Sequence, residues 1–115
     1  MAWHHFRVGG CGGRLGAPTP ESIVVPVIDL RRLIVELKAE HLLLKLDIEG
    51  EEATLLPALM PFLPKQCAIF FEWHQGPEGY QRAVSLLSAH GFTTSLTRQN
   101  RVDDTVYIDA FAQRN

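Results

Sequence analysis

Cysteine is scarce in this chain: Cys11 and Cys67 are the only two. Neither stands at metal-ligand spacing from a partner, and two sulfurs are too few for the framework of a disulfide-stapled domain, so a reducing, cytoplasmic setting is expected. Long apolar runs are missing too. No segment approaches the ~20 residues that cross a bilayer. The opening MAWHHFRVGGCGGRLGAP also lacks the charged-then-apolar order of a secretory signal. A soluble chain with no membrane partner is the expectation. Nor does charge of one sign accumulate: 11 basic and 13 acidic residues give a net charge of -2. They are scattered, which leaves no electrostatic footprint for nucleic acid. A small or neutral partner fits better.

What is present suffices for one core, since 46% of the 115 residues are hydrophobic, within the usual size of a single domain. Residues 1–20 carry Gly9, Gly10, Gly12, Gly13 and Gly16 and end in Pro18-Thr19-Pro20, the composition of a flexible leader. The glycines superficially suggest a nucleotide-binding turn. Such a turn needs a strand before it and a helix N-terminus after it, and Ala17-Pro18-Thr19-Pro20 supplies no helix. From residue 21 to residue 115, short β-branched runs alternate with amphipathic ones. Ile23 to Ile28 reads as strand, Asp29 to Leu37 as helix and Leu42 to Asp47 as strand. Glu51 to Leu63 follows as a helix that Pro57 and Pro61 bend or break, then Cys67 to Glu72 as strand, then Pro77 to His90 as a helix closed by Gly91. Phe92 to Arg98 and Thr105 to Phe111 alternate apolar and polar residues about a polar turn at residues 99–104, the pattern of an antiparallel hairpin. An α/β fold of parallel strands finished by a C-terminal hairpin is expected.

The run from Leu42 to Glu52 is where chemistry is expected, because an apolar strand ends there in a cluster of acids ahead of a helix. Ligands of open α/β sheets sit beyond the carboxyl ends of the strands. Acids in the first helical turn complement the helix dipole by roughly 0.3–1 kcal/mol each, which accounts for Glu51 and Glu52. Asp47 is different. Its neighbours Leu42, Leu43, Leu44, Leu46 and Ile48 predict burial on both faces, and a buried unpaired carboxylate costs several kcal/mol. It therefore needs a partner such as Lys45, a metal, or a solvated cleft. The next strand repeats the device, with Glu72 and His74 on one face at its end. If the two strands are adjacent and parallel, Asp47, Glu49, Glu72 and His74 meet at one rim. There they could supply a general base with an orienting carboxylate, or oxygen-rich metal ligation with one imidazole.

These residues also carry a resemblance. Lys45-Leu46-Asp47-Ile48-Glu49-Gly50-Glu51-Glu52 resembles the lysine-aspartate-glutamate-glycine signature of the FkbM family of S-adenosylmethionine-dependent methyltransferases. Val25-Pro26-Val27-Ile28-Asp29-Leu30 and Phe71-Glu72-Trp73-His74 fall where that family has its "VPV-x-x-L" segment and its acid-ending strand. The resemblance covers roughly residues 23 to 111. It implies a class I, Rossmann-like methyltransferase sheet of seven mostly parallel strands, the last inserted antiparallel. It also implies S-adenosylmethionine as cofactor and transfer of a methyl group to a hydroxyl of a small molecule or glycan. Asp47, Glu49, Gly50, Glu52, Glu72 and His74 match the family's pattern, whereas Glu51 replaces a small residue. His74 or Asp47 would be the base, with Glu49 and Glu72 orienting the acceptor.

The family's cofactor loop, a glycine-containing turn after the first strand, and the acid ending its second strand both precede everything that aligns. No cofactor-binding residue is therefore assigned, and activity of this chain alone is in question. A strand as apolar as Leu42 to Leu46 belongs inside a sheet, and left at an edge it is adhesive. Self-association, or pairing with a separate N-terminal half through that strand, is expected, while Ile23 to Ile28 either covers the edge or forms an outlying ribbon. Two other functions stay open. One is a non-catalytic binding or assembly module that keeps the fold. The other is a metal-dependent hydrolase or lyase built on the four rim residues.

Overall fold

In the computed structural model the described residues are 2–7, 14–16, 20, 22–48 and 50–115. They form an α/β fold with three helices and a four-stranded mixed sheet, joined by a separate three-stranded sheet. The main sheet is built from β4 (His41–Leu46), β5 (Gln66–Trp73), β6 (Thr93–Val102) and β7 (Thr105–Arg114) in the order β4-β5-β7-β6. β4 and β5 run parallel, with Leu46 opposite Phe71. β7 returns antiparallel between β5 and β6. The expected strands are present, but only β4 and β5 are parallel neighbours, because the strand expected at Ile23 to Ile28 lies in the other sheet and β7 pairs antiparallel with β5.

Local chemistry sets the helices. In α1 (Leu30–Leu37), Asp29 is the N-cap, its carboxylate accepting the Arg31 backbone N–H at 3.0 Å and the Arg31 side chain at 2.9 Å. That side-chain oxygen satisfies one of the donors that every helix start leaves open. α2 (Glu52–Leu59) contains Pro57 and gives way to a 3-10 turn at Met60–Phe62 that holds Pro61. The segment read as one helix from residue 51 to 63 is thus a helix that tolerates one proline and tightens before the second. α3 (Gly76–Ala89) starts with Pro77 in its first turn and ends at Gly91, whose φ of 86° is a left-handed value that glycine adopts without a Cβ clash. The hairpin turn is the pair Asp103-Asp104 between Val102 and Thr105, with Asp103 at φ 54°. Residues 99–102, expected in the turn, lie in strand β6.

The core occupies one face of the sheet. Ile69, Phe71, Leu87, Ala110 and Ala112 are fully buried there, with Leu56 and Leu59 from α2 and Tyr80 and Ala83 from α3 beside them. Side chains alternate across a strand, so the opposite face carries His41, Leu43 and Lys45 on β4, which are exposed, and half-buried Phe70, Phe111 and Tyr107 on β5 and β7. The expectation that β4 is buried on both faces is therefore corrected: Leu43 is 70% exposed. Burial on two faces requires helices on both, and α1, α2 and α3 share a single layer. Arg114 closes the far end of that layer. It donates to the carbonyls of Pro64 at 2.8 Å, Lys65 at 3.0 Å and His90 at 2.7 Å, and its guanidinium lies 4.5 Å from the Phe92 ring centre.

The second sheet has the order β2-β1-β3, from β1 (Ala2–Arg7), β2 (Arg14–Gly16) and β3 (Ser22–Val27). β3 is the strand expected at Ile23 to Ile28. It pairs antiparallel with β1, His5 opposite Val24 and Phe6 opposite Ile23, and so does not cover β4. Within the stretch read as a flexible leader, residues 2–7 and 14–16 are strand, because the β-branched run of β3 provides a partner that local composition does not reveal. The glycine run at 8–13 lies outside the described residues. No helix among the described residues is long and apolar enough to cross a membrane.

Candidate functional site

The ends of β4 and β5 bring the site together. The register sets Leu46 opposite Phe71, so Asp47, the next residue, is level with Glu72. His74 follows directly after β5, on the side of the sheet to which Glu72 also points. The chain then turns from β4 into α2 through Gly50, whose φ of 100° is left-handed. The turn wraps around one side chain. Glu52 is 0% exposed, and its carboxylate accepts the backbone N–H of Ile48 at 3.2 Å and that of Gly50 at 3.0 Å. Gln75 ties the same turn to the end of β5 by donating to the Gly50 carbonyl.

His74 sits between carboxylates, its side chain 9% exposed. Its Nδ1 lies 3.0 Å from Glu52 Oε1, while its Nε2 lies 3.0 Å from Glu72 Oε1 and 3.8 Å from Asp47 Oδ1. The Tyr107 ring meets the imidazole edge-on at a centroid distance of 5.3 Å. Both ring nitrogens face a carboxyl oxygen at 3.0 Å: Glu52, which already receives two backbone N–H groups, acts as an acceptor toward Nδ1, whereas Glu72, the carboxyl that is harder to ionise, can accept from Nε2 or, when protonated, donate to it. Nε2 is left to the half-open rim of Glu72 and Asp47. A buried acid fixing the tautomer and rotation of a histidine is the arrangement that prepares a base or a ligand.

Glu72 titrates above the ordinary glutamate range. Partial burial is the main cause, the Asp47 charge adds to it, His74 opposes it, and Asp109 across the β5–β7 ladder raises it further. A carboxyl that is harder to ionise in the folded chain holds its proton more tightly there than when unfolded. Its contribution to stability is therefore lost as pH rises from the unfolded to the folded value. The rim carries more negative charge than its histidine balances.

Of the residues expected at the site, Asp47, Glu72 and His74 meet. Glu49 lies outside the described residues. Lys45 is exposed and forms no ion pair with Asp47 among the described residues; Asp47, itself half-exposed, faces His74 instead. Glu52 is the residue that sequence reasoning misassigned. Read as a helix-dipole acid, it is a buried hydrogen-bond hub, and the signal was its spacing: Glu52, Leu56 and Leu59 form the buried stripe of α2 at i, i+4 and i+7. One atom each from Asp47, Glu52 and His74 lie within 4.8 Å of one another, a grouping compatible with a cation. The Glu52 oxygens in that group are already engaged by Ile48, Gly50 and His74. A separate groove of about 470 Å³ lies on the helix layer, lined mainly by Leu56, Pro57, Trp73, Ala83 and Leu86; His74 is not part of its lining, though its chain neighbours Trp73 and Gln75 are.

Comparison with protein-family models, with curated proteins and with solved structures finds no match to this chain.

Two measurements check the site. In chemical denaturation, Glu52→Ala is expected to cost about 3–5 kcal/mol, because it strands a buried imidazole and two backbone donors. Glu51→Ala, one residue away and exposed, should change stability by less than about 0.5 kcal/mol. Equal effects would contradict the hub. In carboxyl NMR titrations, Asp47→Asn and, to a smaller extent, Asp109→Asn should bring the Glu72 midpoint down toward the ordinary glutamate range, and a midpoint unchanged in both would show that neither charge contributes to the shift.

Proposed function

We propose that the chain is the acceptor-side, C-terminal portion of an S-adenosylmethionine-dependent methyltransferase domain of the FkbM kind, serving O-methyl transfer to a hydroxyl of a small molecule or glycan. One observation carries this reading: the Lys45 to Glu52 segment that bears the resemblance is also the segment whose Asp47 and Glu52 meet His74. Strand order supports it further. β7 lies antiparallel between β5 and β6, as the resemblance implies for the last strand of a class I sheet. The outer edge of β4 has no partner strand among the described residues, which leaves room for a first strand there. The Rossmann-like class is part of the proposal, since this sheet has helices on one face only.

In this reading the acceptor hydroxyl takes the place of Glu72 at His74 Nε2 and gives its proton to that nitrogen, Glu52 holds the imidazole by Nδ1, and Asp47 and the displaced Glu72 orient the acceptor. A sulfonium methyl donor is already activated, so alignment and removal of one proton are what the protein must add. The described residues do not make a cradle for that donor: the N–H groups of Ile48 and Gly50 in the turn ahead of α2 are already taken by the Glu52 carboxylate. Isothermal titration of the chain with S-adenosylmethionine is expected to give no heat, or binding no tighter than millimolar. Transfer of labelled methyl should appear when a cofactor-binding half is supplied and should vanish in His74→Gln. Transfer that survives His74→Gln would contradict the assignment of the base.

A second reading, an assembly module, is favoured by the open edge of β4, where Leu43 is 70% exposed and no proline or bulge blunts pairing. Self-association or pairing with an N-terminal half is proposed through this edge. Leu42 and Leu44 face the helix layer, so Leu43 is the residue to change. Sedimentation should show Leu43→Lys weakening association while Asp47→Ala leaves it intact. A chain that stays monomeric at all concentrations, with or without the substitution, would remove this reading.

A further inference from the structure

The open face of the sheet holds a second groove, of about 290 Å³, lined by Glu72, Arg98, Asn100, Val102, Tyr107 and Asp109. It is continuous with the site described above. Glu72 lines it and lies 3.0 Å from His74 Nε2, and Tyr107 lines it while packing edge-on against the same imidazole.

An irregularity in the hairpin creates the lining. Pairing runs from Leu96 opposite Ala110 to Arg98 opposite Asp109, which leaves Thr97 as an extra residue on β6. The Thr97 hydroxyl secures this bulge by donating to the Asp109 carbonyl at 2.9 Å. A one-residue slip exchanges the faces of everything beyond it. Unbroken pairing would turn Thr97, Gln99 and Arg101 toward the groove; the bulge turns Arg98, Asn100 and Val102 there instead. The Arg98 guanidinium forms no ion pair with another side chain among the described residues.

Resting on the acceptor-side reading of the His74 rim, we propose that this groove binds the acceptor and that the acceptor is a neutral polyol of monosaccharide size. Arg98, Asn100, Tyr107 and Asp109 are its specificity residues. Their chemistry mixes donors and acceptors on one surface: a guanidinium, an amide that offers both, a phenol and two carboxylates. A ring bearing adjacent hydroxyl groups, each able to donate and accept, satisfies such a surface. An apolar alcohol leaves these groups desolvated and unpaired. An anionic sugar meets Glu72 and Asp109, with Asp47 behind them, against Arg98 alone. At about 290 Å³ the groove falls just under the roughly 300–1,000 Å³ of small-ligand sites, a size that suits one sugar ring.

The test needs no methyl donor, so it separates this inference from the reading on which it rests. Backbone amide NMR of the whole chain is titrated with methyl glucoside, methyl mannoside and methyl galactoside, and in parallel with methyl glucuronide and with cyclohexanol. At least one neutral glycoside should give saturable, millimolar shifts confined to Glu72 and residues 98–109, with binding about tenfold weaker for the glucuronide and for cyclohexanol. Arg98→Met and Asn100→Ala should each weaken the glycoside, while Gln99→Ala, on the other side of the strand, should not. Absence of saturable shifts with every neutral glycoside, equal binding of cyclohexanol, or indifference to both groove substitutions would overturn the proposal. Glycoside binding without methyl transfer in the reconstituted mixture would overturn the methyltransferase reading and leave the polyol site standing.

Discussion

Burial of Glu52 is the constraint on which the site depends. A carboxylate with no exposure to solvent must be satisfied where it sits, and the groups that satisfy it belong to two places in the chain: the turn at Ile48 and Gly50, and His74 after β5. Each of these hydrogen bonds to a charged acceptor contributes more than a neutral one would, on the order of 1.5–3 kcal/mol. Together they fix the angle at which β4 enters α2 and the rotation of the imidazole. The same bonds that close the turn therefore present Nε2 to Asp47 and Glu72. Stability and chemistry share one residue.

The sheet supplies the other half of the geometry. Parallel pairing of β4 and β5 brings two strand ends to one rim, and insertion of β7 beside β5 sets Asp109 opposite Glu72 and Tyr107 against His74. With helices confined to one face, the polar residues of β5, β6 and β7 stay accessible on the other. The bulge at Thr97 then chooses which residues of β6 join them. Charge at this rim is unbalanced toward the acids, and the raised titration of Glu72 is its consequence.

Much of this was legible in the sequence, for identifiable reasons. β-branched and apolar runs located β3, β4 and β5 within a residue or two, Asp29 marked the start of α1, and Gly91 marked the end of α3. Strand alternation put Glu72 and His74 on one side, and the parallel pairing brought Asp47 to them. What was not legible depended on distant partners. The exposure of Leu43 follows from the single helix layer, which the run of leucines in β4 could not reveal. The strand at residues 2–7 follows from pairing with β3, which lies well along the chain. The polar residues 99–102 read as turn because exposed hairpin strands carry no apolar alternation to mark them. Glu52 was misread because its identity as an acid outweighed its position on the buried stripe of α2.

The central claim is that Glu52 holds the proton of His74 on Nδ1 and leaves Nε2 facing the rim. Long-range proton–nitrogen correlation NMR of the His74 ring, followed across its titration, tests this most directly. Nδ1 is expected to stay protonated at every pH at which the chain is folded, with Nε2 the nitrogen that gains and loses the proton. A ring whose Nδ1 loses its proton while Nε2 keeps one would contradict it.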